Sequence, residues 1–76
     1  MVYERVKKLF WDIMGIPEEE ISLESNLYDG LCADSLDISQ IIIQLENDYK
    51  IKVEDDVALK LRTVEDIVKY VEGKIS

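Results

Sequence analysis

Asp34-Ser35-Leu36-Asp37-Ile38-Ser39-Gln40-Ile41-Ile42-Ile43-Gln44-Leu45-Glu46-Asn47-Asp48-Tyr49 is the stretch that decides the fold. At about 100° per residue, Ile38, Ile41, Ile42, Leu45 and Tyr49 fall in one arc of about 100°, the apolar stripe of a helix packed on a core. The spacing predicts a helix from about Ser35 to Tyr49. Asp34 stands where an N-cap is needed, and Asp37 lies in the first turn, where the helix dipole favours a negative charge. Leu36 and Ile43 are seven residues apart and face away from that stripe. Single exposed hydrophobes are common and carry little meaning. Two on one face, ringed by Asp37, Gln40, Gln44 and Asn47, read as apolar anchors with a polar rim, the form in which a helix face is recognised.

Three more helical pieces surround this one. Val2, Val6, Leu9, Phe10 and Ile13 recur at helical spacing, giving a first helix that ends near Met14-Gly15, with Pro17 beyond it. Residues 16–34 have no sustained period and form a long loop pinned by Ile16, Ile21, Leu23, Leu27 and Leu31. A loop of that length in a compact domain is usually functional or has short turns of its own. A short third piece around Asp55–Leu61 offers Val57, Ala58 and Leu61. The last helix starts at Thr63, with Asp66 three residues later as a loose capping box, and Val64, Ile67, Val68, Val71 and Ile75 on one face. Ile51-Lys52-Val53 alternates but is too short to pair alone. The expected fold is all-α: a small bundle of three main helices and one short one, forming a single domain over residues 1–76.

Seventy-six residues bury only roughly 60% of the unfolded surface. No apolar run approaches the roughly 20 residues that span a bilayer, and residues 1–14 mix charges into their apolar positions, unlike a signal peptide. The lone cysteine, Cys32, permits no internal disulfide and fits a reducing compartment; in acidic surroundings it is given no chemistry. The expectation is a cytoplasmic monomer. The net charge is −8, and between Asp12 and Tyr49 there are ten acids and no lysine or arginine. Such a surface repels nucleic acid and anionic membranes and attracts a partner with a basic patch. Glu18-Glu19-Glu20 and Glu54-Asp55-Asp56 lack calcium-loop spacing, so no metal site is assigned. Trp11 falls opposite Val6 and Ile13, and its surroundings stay open.

Ser35 is the residue with chemistry to offer. Alone, a serine at a helix start is a local hydrogen-bonding residue. A phosphodiester on its oxygen, however, would gain from the helix N-terminus. Asp34 and Asp37 would repel that phosphate, and read instead as contacts for basic residues on another protein. A catalytic serine needs a base. The chain has no histidine, no lysine near Ser35 in sequence and no Gly-x-Ser-x-Gly elbow, so an enzyme is not expected.

Leu31-Cys32-Ala33-Asp34-Ser35-Leu36-Asp37, the long loop before it, the Ile51–Val53 link and the Thr63-Val64 helix start together resemble the acyl carrier protein family over nearly the whole chain. The resemblance implies that Ser35 carries 4′-phosphopantetheine, transferred from coenzyme A by a phosphopantetheinyl transferase with magnesium. It implies a non-catalytic carrier of thioester-bound acyl groups, in fatty acid biosynthesis, with acyl-handling enzymes as partners. Asp34, Leu36, Asp37, Gln40 and Ile43 would form the docking site, and the core between helices would shelter the acyl chain. The chain departs from the family at four places. Cys32 and Lys50 stand where glycines are usual, Gln40 where fatty-acid carriers have glutamate, and Glu54 where proline is common. A dedicated carrier for a polyketide, aminoacyl or other specialised pathway is the alternative. An unmodified helical interaction domain is the alternative of another class.

Overall fold

The computed structural model describes residues 2–75. Four α-helices follow one another: α1 (Val2–Met14), α2 (Ser35–Tyr49), α3 (Asp55–Ala58) and α4 (Val64–Ile75). A 3-10 turn at Glu18–Glu20 interrupts the long loop. Among the described residues no strand forms, only an isolated antiparallel bridge between Asn26 and Thr63. The all-α expectation holds.

α1 lies between the other long helices, packing against both α2 and α4. It buries Val2, Val6, Leu9 and Phe10; α2 buries Ile38, Ile41, Ile42 and Leu45; α4 buries Val64, Ile67, Val68 and Val71. Each fully buried side chain of this kind contributes about 1.5–3 kcal/mol over its exposed state, so these three stripes hold the fold together. Ile21, Leu27, Ala33, Val53 and Leu61 close the core from the loops.

The helix ends follow from local chemistry. Gly15, at φ 72°, turns the chain out of α1, and its N–H donates to Trp11 O at 2.9 Å. α2 ends on Lys50, which takes the same left-handed conformation at φ 55°. Ile51 N–H then returns to Glu46 O at 3.2 Å. The loose capping box expected at Thr63 and Asp66 forms, with Thr63 as the cap and Val64 as the first residue of α4. Thr63 Oγ1 accepts from Asp66 N–H at 3.2 Å, and Asp66 Oδ2 accepts from the N–H groups of Thr63 at 3.1 Å and Arg62 at 2.9 Å.

Several expectations need correction. Leu23 is exposed and does not pin the loop with its side chain; its backbone carbonyl does, accepting Glu65 N–H at 3.0 Å. Ile75 is exposed because residues 72–75 of α4 all run past the buried layer. α3 is a single turn that stops at Ala58, and Leu61 is buried from beyond its end. Ile13 and Tyr49 are half-buried at the ends of their stripes, and Trp11 is half-exposed.

Candidate functional site at the start of the second helix

The loop leading to Ser35 is locked at both ends. Asn26 organises it: Oδ1 accepts the N–H groups of Tyr28 and Asp29, each at 2.9 Å, and its carbonyl accepts those of Gly30 and Leu31. Gly30 approaches so closely that a Cβ there would meet Asn26 O at 3.0 Å. Buried Leu27 ties the loop in both directions. Its N–H donates to Arg62 O at 2.8 Å, and its carbonyl accepts Ala33 N–H at 2.9 Å. Val64 N–H donates to Ser25 O at 3.1 Å. The free N–H groups at the start of α4 thus hold the loop through its carbonyls.

Asp34 is the N-cap of α2. Its Oδ1 accepts Asp37 N–H at 2.9 Å, and Asp37 Oδ2 reaches back to Asp34 N–H at 3.5 Å. This is a capping box made from two aspartates; Asp37 was expected to favour the dipole and to face a basic partner, and its part in the cap is additional. Ser35 is the first residue inside the helix and is exposed. Its hydroxyl has no hydrogen-bond partner among the described residues. An outward, unengaged hydroxyl at a helix N-terminus satisfies the geometric needs of a phosphodiester anchor.

Leu36 is 68% exposed and Ile43 52% exposed, with exposed Gln40 between them on the same face. The helix brings these three and Ser35 together on its outer side. Beside them, Ser39, Ile42, Ile43 and Glu46 of α2, Val53, and Asp55 and Ala58 of α3 line a hollow of about 150 Å³. Sequence reasoning missed this hollow's composition, because it depends on where α3 folds back. It also missed Ala33, a single buried methyl without a period to reveal it.

The ten acids are not all unpaired. Arg5 Nε meets Asp48 Oδ2 at 2.6 Å, joining α1 to the last turn of α2. That hydrogen bond holds the guanidinium above its ordinary pKa. Glu46 Oε2 accepts Val53 N–H at 2.8 Å. Asp66, capping α4, has its carboxyl below the usual range, first through the Arg62 N–H bond and further through Thr63. No cluster of metal-ligating side chains forms among the described residues, and no described helix is long and apolar enough to cross a membrane.

The family model described as "Phosphopantetheine attachment site" matches residues 4–71. The chain belongs to this family. The acyl carrier protein of Clostridium acetobutylicum is 43% identical over 73 residues, covering 96% of this chain and 95% of that one. The acyl carrier proteins of two strains of Nitratidesulfovibrio vulgaris are 37% identical over 73 residues, covering 96% of each. Members of the family are non-catalytic carriers whose prosthetic group is phosphopantetheine, and their partners are phosphopantetheinyl transferases and acyl-handling enzymes. The exposed serine at a helix start fits that group: an accessible oxygen, no competing internal bond and a positive helix end.

Proposed function

We propose that Ser35 is the attachment residue and that this chain, one carrier domain, bears acyl intermediates of fatty acid biosynthesis as thioesters on the arm. The observation that carries the reading is the exposed, unengaged Ser35 hydroxyl at the first position of α2, in a chain matched almost end to end by the phosphopantetheine-attachment family. Loading forms a bond from Ser35 Oγ to the pantetheine-bearing phosphorus of coenzyme A. The bond from that phosphorus to the nucleotide breaks, and the serine proton leaves to a base on the transferase. The arm supplies a terminal thiol for thioester chemistry, and the protein's own residues orient and present it.

Leu36, Gln40 and Ile43 form the docking face, with Asp34 and Asp37 as its acidic edge. Both aspartates spend part of their acceptor capacity on the cap, and each carboxylate has further lone pairs for a partner's lysine or arginine. The net charge of −8 opposes self-association and supports a monomer. The unpaired cysteine supports a cytoplasmic setting.

Incubation with coenzyme A, magnesium and a promiscuous phosphopantetheinyl transferase, followed by intact mass and peptide mapping, tests the assignment. A mass gain on the Ser35 peptide is expected. No gain, or a gain that survives Ser35→Ala, refutes it. The neutral Gln40 on the docking face favours a second reading, a dedicated carrier of a polyketide, aminoacyl or other specialised pathway. Malonyl transfer to the loaded protein by a fatty-acid malonyl transferase supports the first reading, and its refusal supports the second.

A further inference from the structure

We propose that Ser39 makes the hollow between α2 and α3 selective for short acyl groups, of up to about six carbons, that carry a hydrogen-bond-accepting oxygen. The inference rests on Ser35 as the attachment residue. Along α2, Ser39 is four residues beyond Ser35 and Glu46 eleven, so at about 1.5 Å per residue the hollow begins roughly 6 Å and ends roughly 16 Å from the attachment point. The covalent bond lengths of the arm give it a reach of roughly 15–20 Å. Its thioester end therefore arrives at the hollow when the arm lies along the helix.

Size sets the first limit. The hollow measures about 150 Å³ and stands partly open to solvent; a cavity of that volume has room for a molecule about the size of benzene. Behind Ile42 the neighbouring side chains of α2, Ile41 and Leu45, are fully buried in the core. A longer chain must displace close-packed side chains to advance inward, or leave its end in water.

Polarity sets the second limit. Ile42, Ile43, Val53 and Ala58 form the apolar wall, and Ser39, Glu46 and Asp55 supply the polar groups. Ionised Glu46 and Asp55 only accept hydrogen bonds, and Glu46 is already held by Val53 N–H at 2.8 Å. Ser39 is thus the one side chain lining the hollow that can donate to a cargo oxygen. Its hydroxyl has no partner among the described residues. An acyl oxygen that enters without reaching Ser39 gives up part of its water and faces carboxylates that cannot donate to it, an unfavourable exchange. A saturated chain gains nothing from the serine.

Three coenzyme A thioesters, butyryl, 3-oxobutyryl and decanoyl, are loaded by a promiscuous transferase onto the full chain, and loading at Ser35 is confirmed by peptide mass. Exchange of each thioester with an added small thiol is then followed by intact mass, with rates divided by those of the same thioesters on free pantetheine. The 3-oxobutyryl form is expected to exchange about two- to tenfold more slowly than the butyryl form, the range of one net hydrogen bond. Decanoyl should be protected no better than butyryl. In Ser39→Ala, which alters an exposed position and leaves the core intact, the ratio of 3-oxobutyryl to butyryl should return to about one. Equal exchange of the two short forms in the wild type, a ratio that survives Ser39→Ala, or decanoyl as the best-protected cargo overturns the inference while Ser35 loading stands. Failure of all three to load at Ser35 overturns the attachment reading and this inference with it.

Discussion

Replacing Cys32 or Lys50 by glycine should stabilise the protein. Both residues hold left-handed backbone, at φ 58° and φ 55°, and both are exposed. A left-handed conformation costs a residue with a Cβ roughly 1–2 kcal/mol. Glycine removes that cost but gives the unfolded chain more freedom, which returns about 0.4–1 kcal/mol. The net gain is about 0.5–1 kcal/mol per site. Neither side chain contributes a packing or hydrogen-bond term to be lost, and the two sites share no partner, so their effects should add. The double variant should gain about 1–2 kcal/mol. In a domain of this size each kcal/mol moves the melting temperature by about 4–8 °C, so a rise of roughly 4–16 °C is expected. Urea melts at constant m-value give the free energy directly. Cys32→Ala and Lys50→Ala are the controls, because alanine keeps the Cβ and should be close to neutral. An alanine variant as stable as its glycine counterpart, or glycine variants with no gain, would show that the backbone at these positions is not strained and refute the reasoning.

Leu36→Ala and Ile43→Ala should each change stability by about 0.5 kcal/mol or less, while Ile41→Ala in the core should cost about 2–5; the same two surface variants should weaken transferase binding, and unchanged binding removes their docking role. Glu46→Ala should cost about 1–3 kcal/mol in urea melts by stripping Val53 N–H of its acceptor, and Glu46→Gln, which keeps an acceptor, should cost less; equal losses would mean that the bond contributes nothing. Asp66 has a lowered folded-state pKa, so its contribution is present above the unfolded value of 3.8 and fades as the pH falls through the folded value. Asp66→Ala should therefore be less stable than wild type at neutral pH and show a shallower loss in acid melts; parallel acid limbs would contradict the linkage. Added salt should raise the melting temperature by screening the acidic stretch, over about 10 Å at 0.1 M, and slow association with a basic partner in stopped-flow mixing. A fall in melting temperature with salt would mean that ion pairs such as Arg5–Asp48 dominate over repulsion.

Short-range chemistry made α2 legible. Its apolar period, its Asp34 cap and its first residue all lie within one stretch of sequence, and the observed bounds Ser35–Tyr49 match the expected ones. The loop before it was legible only in part. Leu27 is buried as its type suggests, yet what holds the loop is a set of backbone bonds to Arg62 O and from Val64 and Glu65 N–H. Every residue but proline carries those groups, so no side-chain pattern announces them. The Arg5–Asp48 pair spans 43 positions and is invisible to a count of charges along the chain. Cys32 and Lys50 could be read only as departures from a family; the positive φ angles give those two departures a common physical meaning.

Ile43 shows what three dimensions add to the candidate site. Its helical position alone placed it on the outer face, as an anchor beside Leu36. In the structure it is 52% exposed and also lines the hollow shared with Ala58 and Asp55 of α3. One side chain therefore belongs to both the proposed docking face and the rim of the hollow. A partner that buries Ile43 necessarily touches the rim from which cargo would leave. If Ile43 serves the docking face proposed above, docking and cargo access meet at one isoleucine, where binding energy from the outer face can bias whether an acyl group stays in the hollow or is withdrawn from it.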